Sequence, residues 1–168
     1  MSFDHRLRPT SVSAVDNPAD PETSLVVFLD IDGVLAPVVE RYRYGDFDRD
    51  CVQVLNEIVS VSGADVVVSS SLRFGKTVAQ MQQALEDYGF SGRIISKTST
   101  QLVGYSRGEE IAAWLHEHAV DGFVILDDHA DMGELRAHLV QTNPAVGLQR
   151  SDVQPALEKL ALKATAEA

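Results

Sequence analysis

Apolar residues along this chain fall into two patterns that alternate from residue 25 onward. Short continuous apolar runs are typical of buried β-strands, and they occur at Leu25–Asp30, Ala64–Val68, Arg93–Ser96 and Phe123–Leu126. Apolar positions three or four residues apart are typical of amphipathic helices, and they predict helices over Asp50–Val61, over Lys76–Tyr88, from Ser106 through Leu115, and from Ser151 or Asp152 through Leu162. The pattern at Leu135–Val140 mixes a short helix with an edge strand. Because strands alternate with helices, the sequence predicts an α/β fold with a mostly parallel sheet and helices on both of its faces.

The length of the chain and of its connections predicts one domain. A chain of 168 residues can bury one sizeable core and is too short for two ordinary domains. We expect residues 1–23, which lack the apolar core of a secretory signal, to form a flexible tail, residues 24–164 to form the domain, and residues 165–168 to fray. Only Ala36–Arg49 separates the turn after the first strand from the next helix, so we expect an open crevice covered at most by the short loop Arg41-Tyr-Arg-Tyr44.

Charge and cysteine content exclude several classes of protein. The formal net charge of −11 argues against an extended nucleic-acid-binding surface, because affinity for a phosphate backbone depends on Lys and Arg. No apolar run approaches the length of a membrane span. Cys51 is the only cysteine, so no internal disulfide can form and we expect a reducing, cytoplasmic compartment. No motif with a histidine partner surrounds Cys51, so we interpret it as a helix residue and not as a nucleophile.

Polar side chains follow the strongest predicted strands at the points where these strands end. Asp30 and Asp32 follow the first strand, Ser69 to Ser71 follow the second, and Asp127 and Asp128 follow the strand at Phe123–Leu126. In a parallel sheet these carboxyl ends meet at one edge, where open α/β sheets bind their ligands. Carboxylates gathered there repel one another, and a divalent cation is the simplest way to offset that repulsion.

Four stretches of the chain, in this order, resemble the signatures of the haloacid dehalogenase (HAD) superfamily of phosphohydrolases. They are Asp30-Ile-Asp32-Gly33-Val-Leu, then Val66-Val-Val-Ser69, then a basic residue that is either Arg107 or Lys97, and finally Ile125-Leu-Asp127-Asp128. More narrowly, the Ser-Ser-Ser-Leu-Arg73 run, the helix that begins at Arg107 and the pair Gly147-Leu148 resemble the HAD domain found in Swiss-Army-knife RNA repair proteins. The resemblance implies a three-layer, Rossmann-like HAD fold, here without a large cap domain.

The resemblance also implies a reaction and a metal. It implies a Mg²⁺-dependent phosphatase that hydrolyses phosphomonoesters through an aspartyl-phosphate, with Asp30 as the nucleophile and Asp32 as the general acid and base. Asp127 and Asp128 are expected to hold the Mg²⁺ together with Asp30 and the backbone carbonyl of Asp32. Asp131, just beyond, is either a further ligand or a helix N-cap.

The remaining predicted site residues would contact the phosphate. Ser69 is expected to donate a hydrogen bond to the transferring phosphoryl group, with Ser70 as the alternative, and Gly33 and Arg73 are further candidate substrate contacts. A fixed cation is also needed. We favour Arg107, whose planar fork suits phosphate, and Lys97 competes with it because many family members use lysine here.

An open crevice in the HAD fold would admit nucleotide or polynucleotide ends, which we take as candidate substrates. The competing explanation is an oligomer whose neighbouring subunit caps the site and admits only small phosphorylated metabolites. Two further alternatives stay open for the function, namely a catalytically silent HAD-like binding module and a phosphotransferase on small metabolites. A phosphoacceptor signalling domain is disfavoured, because it would carry adjacent acids after the first strand and not the spaced pair Asp30 and Asp32.

Overall fold

The computed structural model describes residues 24–39, 46–73, 75–99 and 104–163. The predicted N-terminal tail, the predicted loop Arg41–Tyr44 and the predicted frayed C-terminus therefore lie outside the described residues. Among the helices that are described, none combines the length and the apolar character needed to cross a bilayer.

Five strands form one sheet in which every neighbouring pair is parallel. The strands are β1 (Leu25–Leu29), β2 (Asp65–Val68), β3 (Ile94–Lys97), β4 (Gly122–Asp127) and β5 (Leu139–Gln141). Their order across the sheet is β3-β2-β1-β4-β5, which places β1 at the centre. The predicted parallel α/β fold is confirmed, and the predicted mixture at Leu135–Val140 proves to be a 3-10 helix at Gly133–His138 followed by edge strand β5.

Four α-helices connect or follow the strands, and polar caps fix where two of them begin. The helices are α1 (Arg49–Ser62), α2 (Val78–Glu86), α3 (Arg107–Glu117) and α4 (Val153–Leu160), with further 3-10 helices at Ser71–Arg73 and Arg150–Asp152. The Ser106 side chain accepts a hydrogen bond from the Glu109 backbone N–H while Glu109 accepts one from the Ser106 N–H, so the predicted capping box opens α3. Helix α2 begins two residues later than predicted, because Thr77 forms an equivalent box with Gln80.

The helices form layers on both faces of the sheet, because β1 is buried on both sides. Val27 and Leu29 belong to one core cluster, which α1, α2 and α4 complete. Val26 and Phe28 point the other way and belong to a second cluster, in which Phe28 packs edge to face on Trp114 of α3 with ring centroids 5.4 Å apart. Successive side chains of a strand point to opposite faces, so one apolar run supplies both cores. The predicted three-layer arrangement is confirmed.

The connections between the elements are too short to contain an inserted domain. The longest of them, residues 30–48 between β1 and α1, is far shorter than an independently folding unit. The fold therefore agrees with the prediction that no large cap domain is present.

Cys51 lies in α1, as the sequence predicts, and its side chain is buried. Burial raises the pKa of its thiol to about 12, and the carboxylate of Asp48 contributes to the same shift. A thiol that stays protonated at neutral pH is a poor nucleophile. This position therefore suits packing and not chemistry.

Near the N-terminus of α3, the backbone at Gly108 packs closely against the backbone at Met132. A Cβ at this position would lie 2.7 Å from the carbonyl oxygen of Met132, in the segment that follows β4. Backbone atoms cannot yield as the end of a flexible side chain can. Gly108 therefore sets how closely the start of α3, including Arg107, approaches the end of β4.

We expect Gly108→Ala to lower the free energy of unfolding by about 1–3 kcal/mol, because the added methyl group would push α3 away from Met132. Helix propensity alone predicts the opposite sign, since alanine is favoured over glycine by about 1 kcal/mol in a helix interior. The matched control is Ala112→Gly at an exposed position of the same helix, which should lose only that propensity difference. Urea titration of both variants checks this, and a gain in stability in Gly108→Ala would contradict it.

Candidate active site

The direction of the strand order reverses between β1 and β4, and two aspartates lie at that point. From β1 the chain moves outward to β2 and β3, while β4 and β5 lie on the other side of β1. Asp30 directly follows β1, Asp127 ends β4, and the Asp30 N–H donates to the Leu126 carbonyl oxygen at 3.0 Å. Ligands of open α/β sheets bind in the crevice at such a reversal.

Three carboxylates meet at this point. Oxygens of Asp30, Asp127 and Asp128 lie within 4.8 Å of one another. Burial raises the pKa of Asp30, and it raises the pKa of Asp127 to about 6, to which the neighbouring charge of Asp30 also contributes. Asp128 Oδ1 is buried and accepts no hydrogen bond from the described residues. Asp127 Oδ1, by contrast, accepts a hydrogen bond from the His129 N–H at 2.9 Å, so Asp128 Oδ1 is the oxygen of the cluster that is buried without a donor among the described residues.

The turn after β1 makes room for Asp128. Gly33 has a φ of +78°, and a Cβ at this position would lie 2.6 Å from Asp128 Cγ. Thr142, which is buried, holds the turn by donating from Oγ1 to the Gly33 carbonyl at 2.7 Å, and its N–H donates to the Asp127 carbonyl at 3.0 Å. Gly33 thus contributes space to the acidic cluster, and its predicted substrate contact stays a prediction. Sequence reasoning missed Thr142, which no sequence motif distinguishes.

Asp32 occupies a different environment from Asp30. Its side chain is exposed, while that of Asp30 is buried. The described carboxylates that cluster are those of Asp30, Asp127 and Asp128, and neither Asp32 nor the exposed Asp131 is among them. The predicted roles of Asp32 as general acid and base, and as a metal ligand through its backbone carbonyl, stay predictions.

Arg107, the first residue of α3, reaches the acidic cluster. Its Nη1 lies 3.3 Å from Asp30 Oδ1 and 3.5 Å from Asp127 Oδ2. Its positive charge lowers the pKa of Asp30 and of Asp127, opposing the larger effect of burial. Of the two basic residues that the sequence left open, the structure therefore brings Arg107 to the carboxylates.

Lys97, the competing cation, is engaged elsewhere. Its Nζ donates to the Lys76 carbonyl oxygen at 2.6 Å and to the Arg73 carbonyl oxygen at 3.3 Å. These carbonyls belong to the connection between β2 and α2. The structure therefore does not bring Lys97 together with the acidic cluster.

Ser69 and Ser70 follow β2 and are both buried. The Ser69 N–H donates to the Leu29 carbonyl at 3.0 Å, which continues the ladder between β1 and β2 to the residue before Asp30. Ser69 Oγ makes no hydrogen bond with the described residues, although a buried hydroxyl ordinarily has a partner. Its hydrogen-bonding capacity is therefore available to a ligand, as the predicted phosphate contact requires.

Arg73 is buried and forms an ion pair within the protein. Its side chain is 2% exposed, and its Nη1 donates to the carbonyl oxygens of Ser69 at 3.0 Å and Ser70 at 2.9 Å. Its Nη2 lies 2.8 Å from Glu110 Oε2. Arg73 is thus held by carbonyls of the turn after β2 and by Glu110 of α3, and its predicted substrate contact stays a prediction. Sequence reasoning missed Glu110; the available signal was its i+3 spacing from Arg107 on a predicted helix.

The residues at the acidic cluster fit a Mg²⁺ ion. Mg²⁺ prefers oxygen ligands and is commonly bound through one or two carboxylates together with waters and substrate oxygens. Asp30, Asp127 and Asp128 offer such oxygens within 4.8 Å of one another, and the Asp128 carboxylate has one oxygen that is buried without a hydrogen bond from the described residues. The raised pKa values of Asp30 and Asp127 show that a further positive charge would be favourable here.

Comparison with known families identifies the chain. The sequence profile of the family described as the HAD domain in Swiss Army Knife RNA repair proteins matches residues 26–153, which include every element from β1 to the start of α4. Comparison with curated proteins gives no match. HAD domains generally use Mg²⁺, in agreement with the carboxylate cluster at the ends of β1 and β4. The chain therefore belongs to the HAD superfamily, in the family of HAD domains of Swiss Army Knife RNA repair proteins.

Proposed function

We propose that this chain is a Mg²⁺-dependent phosphatase that hydrolyses phosphomonoesters through an aspartyl-phosphate on Asp30. The observation that carries the proposal is the cluster of Asp30, Asp127 and Asp128 with Arg107 in contact, at the strand-order reversal of a HAD fold. This combination offers a nucleophile, oxygen ligands for a metal, and a fixed cation within one crevice.

In the first step a carboxylate oxygen of Asp30 attacks the phosphorus of the substrate. A bond forms between that oxygen and phosphorus, and the bond from phosphorus to the ester oxygen breaks. Asp32, in its protonated form, gives its proton to the departing oxygen, so the product leaves as a neutral alcohol. The exposure of Asp32 supports this assignment, because an exposed carboxyl group can recover its proton from solvent.

In the second step Asp32, now a carboxylate, takes a proton from a water molecule that attacks the phosphorus. The bond between phosphorus and Asp30 breaks, inorganic phosphate forms, and the Asp30 carboxylate is restored. One residue thus serves as acid and then as base, while the buried nucleophile never has to exchange a proton with solvent. The contrast between buried Asp30 and exposed Asp32 supports this division of roles.

Charge is the main obstacle to this chemistry. A carboxylate approaching one negative charge of the phosphate to about 4 Å meets a repulsion of roughly 4 kcal/mol at an effective dielectric near 20. A Mg²⁺ ion bound by Asp30, Asp127 and Asp128 would supply positive charge to both partners. Arg107 would contact the phosphoryl oxygens from the side of α3, and Ser69 would donate its uncommitted hydroxyl to one of them.

We further propose nucleotide or polynucleotide ends as the substrates. The family's description refers to RNA repair proteins, which supports a polynucleotide as the substrate. The connections of the fold are too short for a cap domain, so a polymer end could enter the crevice. The net charge of −11 favours contact with a terminal phosphate over contact with a long stretch of backbone.

We expect Asp30→Asn to reduce Mg²⁺-dependent release of phosphate from an aryl phosphate or a phosphorylated oligonucleotide by at least about 1,000-fold, since an amide cannot act as the nucleophile. Removal of Mg²⁺ with EDTA should have a comparable effect on the wild type. The matched control is Glu134→Gln, which removes an exposed carboxylate in a 3-10 helix and should leave turnover unchanged. Mg²⁺-dependent thermal stabilisation of a wild type that turns over neither substrate would indicate a silent binding module instead.

Arg107→Ala should lower kcat by about 100- to 1,000-fold, because the phosphoryl oxygens lose their fixed cation. Lys97→Ala should change kcat by no more than about threefold, although it should lower the free energy of unfolding by about 1–3 kcal/mol through the loss of its bonds to two backbone carbonyls. Steady-state kinetics and urea titration on the same preparations separate the two effects. A larger loss of kcat in Lys97→Ala than in Arg107→Ala would identify Lys97 as the cation that contacts the phosphate.

We expect oligonucleotides with a 3′- or 5′-terminal phosphate to be hydrolysed with a higher kcat/KM than mononucleotides or sugar phosphates, because only the polymer end can contact the rim of an open crevice. Phosphate release at equal substrate concentrations measures this, and the corresponding hydroxyl-terminated oligonucleotide serves as an inhibitor control. Inert oligonucleotides alongside active sugar phosphates would contradict the polynucleotide assignment and favour small metabolites.

A further inference from the structure

Glu110 lies between two arginines at the edge of the candidate site. Its Oε2 is 2.8 Å from Arg73 Nη2 and 3.7 Å from Arg107 Nε. The Glu110 side chain is only 12% exposed, against 2% for Arg73 and 23% for Arg107. One partly buried carboxylate oxygen therefore contacts two guanidinium groups that belong to different elements of the fold.

On one side, Glu110 compensates a buried positive charge. Arg73 is almost fully buried, and a buried charge is strongly unfavourable unless it is paired and hydrogen-bonded. Backbone carbonyls of Ser69 and Ser70 satisfy its Nη1, and Glu110 supplies the opposite charge at Nη2. The carboxylate of Glu110 thus acts, through Arg73, on the backbone that carries both serines.

On the other side, Glu110 opposes the pull of the acidic cluster on Arg107. The Arg107 guanidinium contacts Asp30 and Asp127 through Nη1, and Glu110 through Nε. Contacts at two different nitrogens fix the orientation of a planar group more tightly than contacts at one. Without the negative charge of Glu110, only the carboxylates of the acidic cluster would attract Arg107. The repulsion between Arg73 and Arg107 would then no longer be offset.

We infer that Glu110 is a positioning residue, which orients Arg107 for phosphate and couples that orientation through Arg73 to the backbone of Ser69 and Ser70. The inference rests on the proposed phosphate-binding role of the site. In this arrangement Glu110 contacts the two arginines and leaves the substrate to Arg107 and Ser69. Ser69, after β2, and Arg107, in α3, would contact the phosphoryl oxygens. The carboxylate of Glu110 thereby fixes the position of one of these groups relative to the other.

The test compares Glu110→Gln with Glu109→Gln in the full chain. Both variants remove one negative charge from the first turn of α3, but Glu109 contacts only its capping partner in the described structure, and glutamine can preserve a capping box. We expect Glu110→Gln to weaken binding of inorganic phosphate in the presence of Mg²⁺ about tenfold by calorimetry. We also expect it to shift the Arg107 Nε–H resonance in ¹⁵N NMR spectra of the ligand-free protein. Glu109→Gln should do neither.

A double-mutant cycle with Arg107→Ala shows whether Glu110 acts through Arg107. We expect Glu110→Gln to have a clearly smaller effect on phosphate affinity once Arg107 is replaced, because only the action of Glu110 through Arg73 then remains. Glu110→Asp, which keeps the charge, should restore part of the affinity and provides the comparison if Glu110→Gln folds poorly. Either of two outcomes would overturn the inference. In the first, Glu110→Gln is destabilised but binds phosphate with unchanged affinity. In the second, Glu110→Gln loses as much phosphate affinity in the Arg107→Ala background as it does in the wild type.

The same measurements separate this inference from the proposed hydrolase. If Glu110→Gln changes phosphate affinity and the Arg107 resonance as expected, but the wild type shows no turnover, the hydrolase is refuted and the positioning role of Glu110 stands. Turnover that needs Mg²⁺ and Asp30 but is insensitive to Glu110→Gln would uphold the hydrolase and refute the positioning role.

Discussion

Electrostatic balance around Asp30 and Asp127 is the constraint on which the rest of this structure depends. Two buried carboxylates side by side at the ends of β1 and β4 are unfavourable, and their raised pKa values express that cost. Arg107 offsets part of it, and the three carboxylates fit a divalent cation, whose charge would offset more. The fold thus holds carboxylates together although their repulsion is only partly offset in the ligand-free protein, which is typical of binding and catalytic sites.

Backbone contacts, more than side-chain packing, hold the acidic cluster in place. The hydrogen-bond ladders between the strands continue past their ends, from the Asp30 N–H to Leu126 and from the Ser69 N–H to Leu29. Thr142 ties the turn at Gly33 to the end of β4. The positions of Asp30 and Asp127 are therefore set by the hydrogen-bonded strands β1 and β4. A site supported in this way needs little rearrangement to bind, and the affinity lost to ordering is small.

The sequence predicted the sheet and the location of the site well, because both depend on local patterns. Apolar runs define β1, β2 and β4, and their ends carry the acidic residues and the serines. The choice between Arg107 and Lys97 could not be made in the same way. It depends on how α3 crosses back over the sheet to the ends of β1 and β4, while the Lys97 side chain turns to the connection after β2. The burial of Arg73 and its ion pair with Glu110 could not be predicted from the sequence either, because the two residues lie on separate elements and no local pattern relates them.

The position of β1 in the middle of the sheet has a consequence for how the acidic cluster assembles. Its neighbour on one side, β2, follows after a single helix, but its neighbour on the other side, β4, comes only after two further helices and β3. Pairing of distant segments is the slow part of folding, because more chain must be ordered before the contact forms. Asp30 and Asp127 are brought together by the pairing of β1 with β4, so the mutual repulsion of these carboxylates belongs to the most sequence-distant pairing that β1 makes. A cation that relieves this repulsion would thus also stabilise the pairing of β1 with β4, so that binding of the cation is coupled to the stability of the sheet.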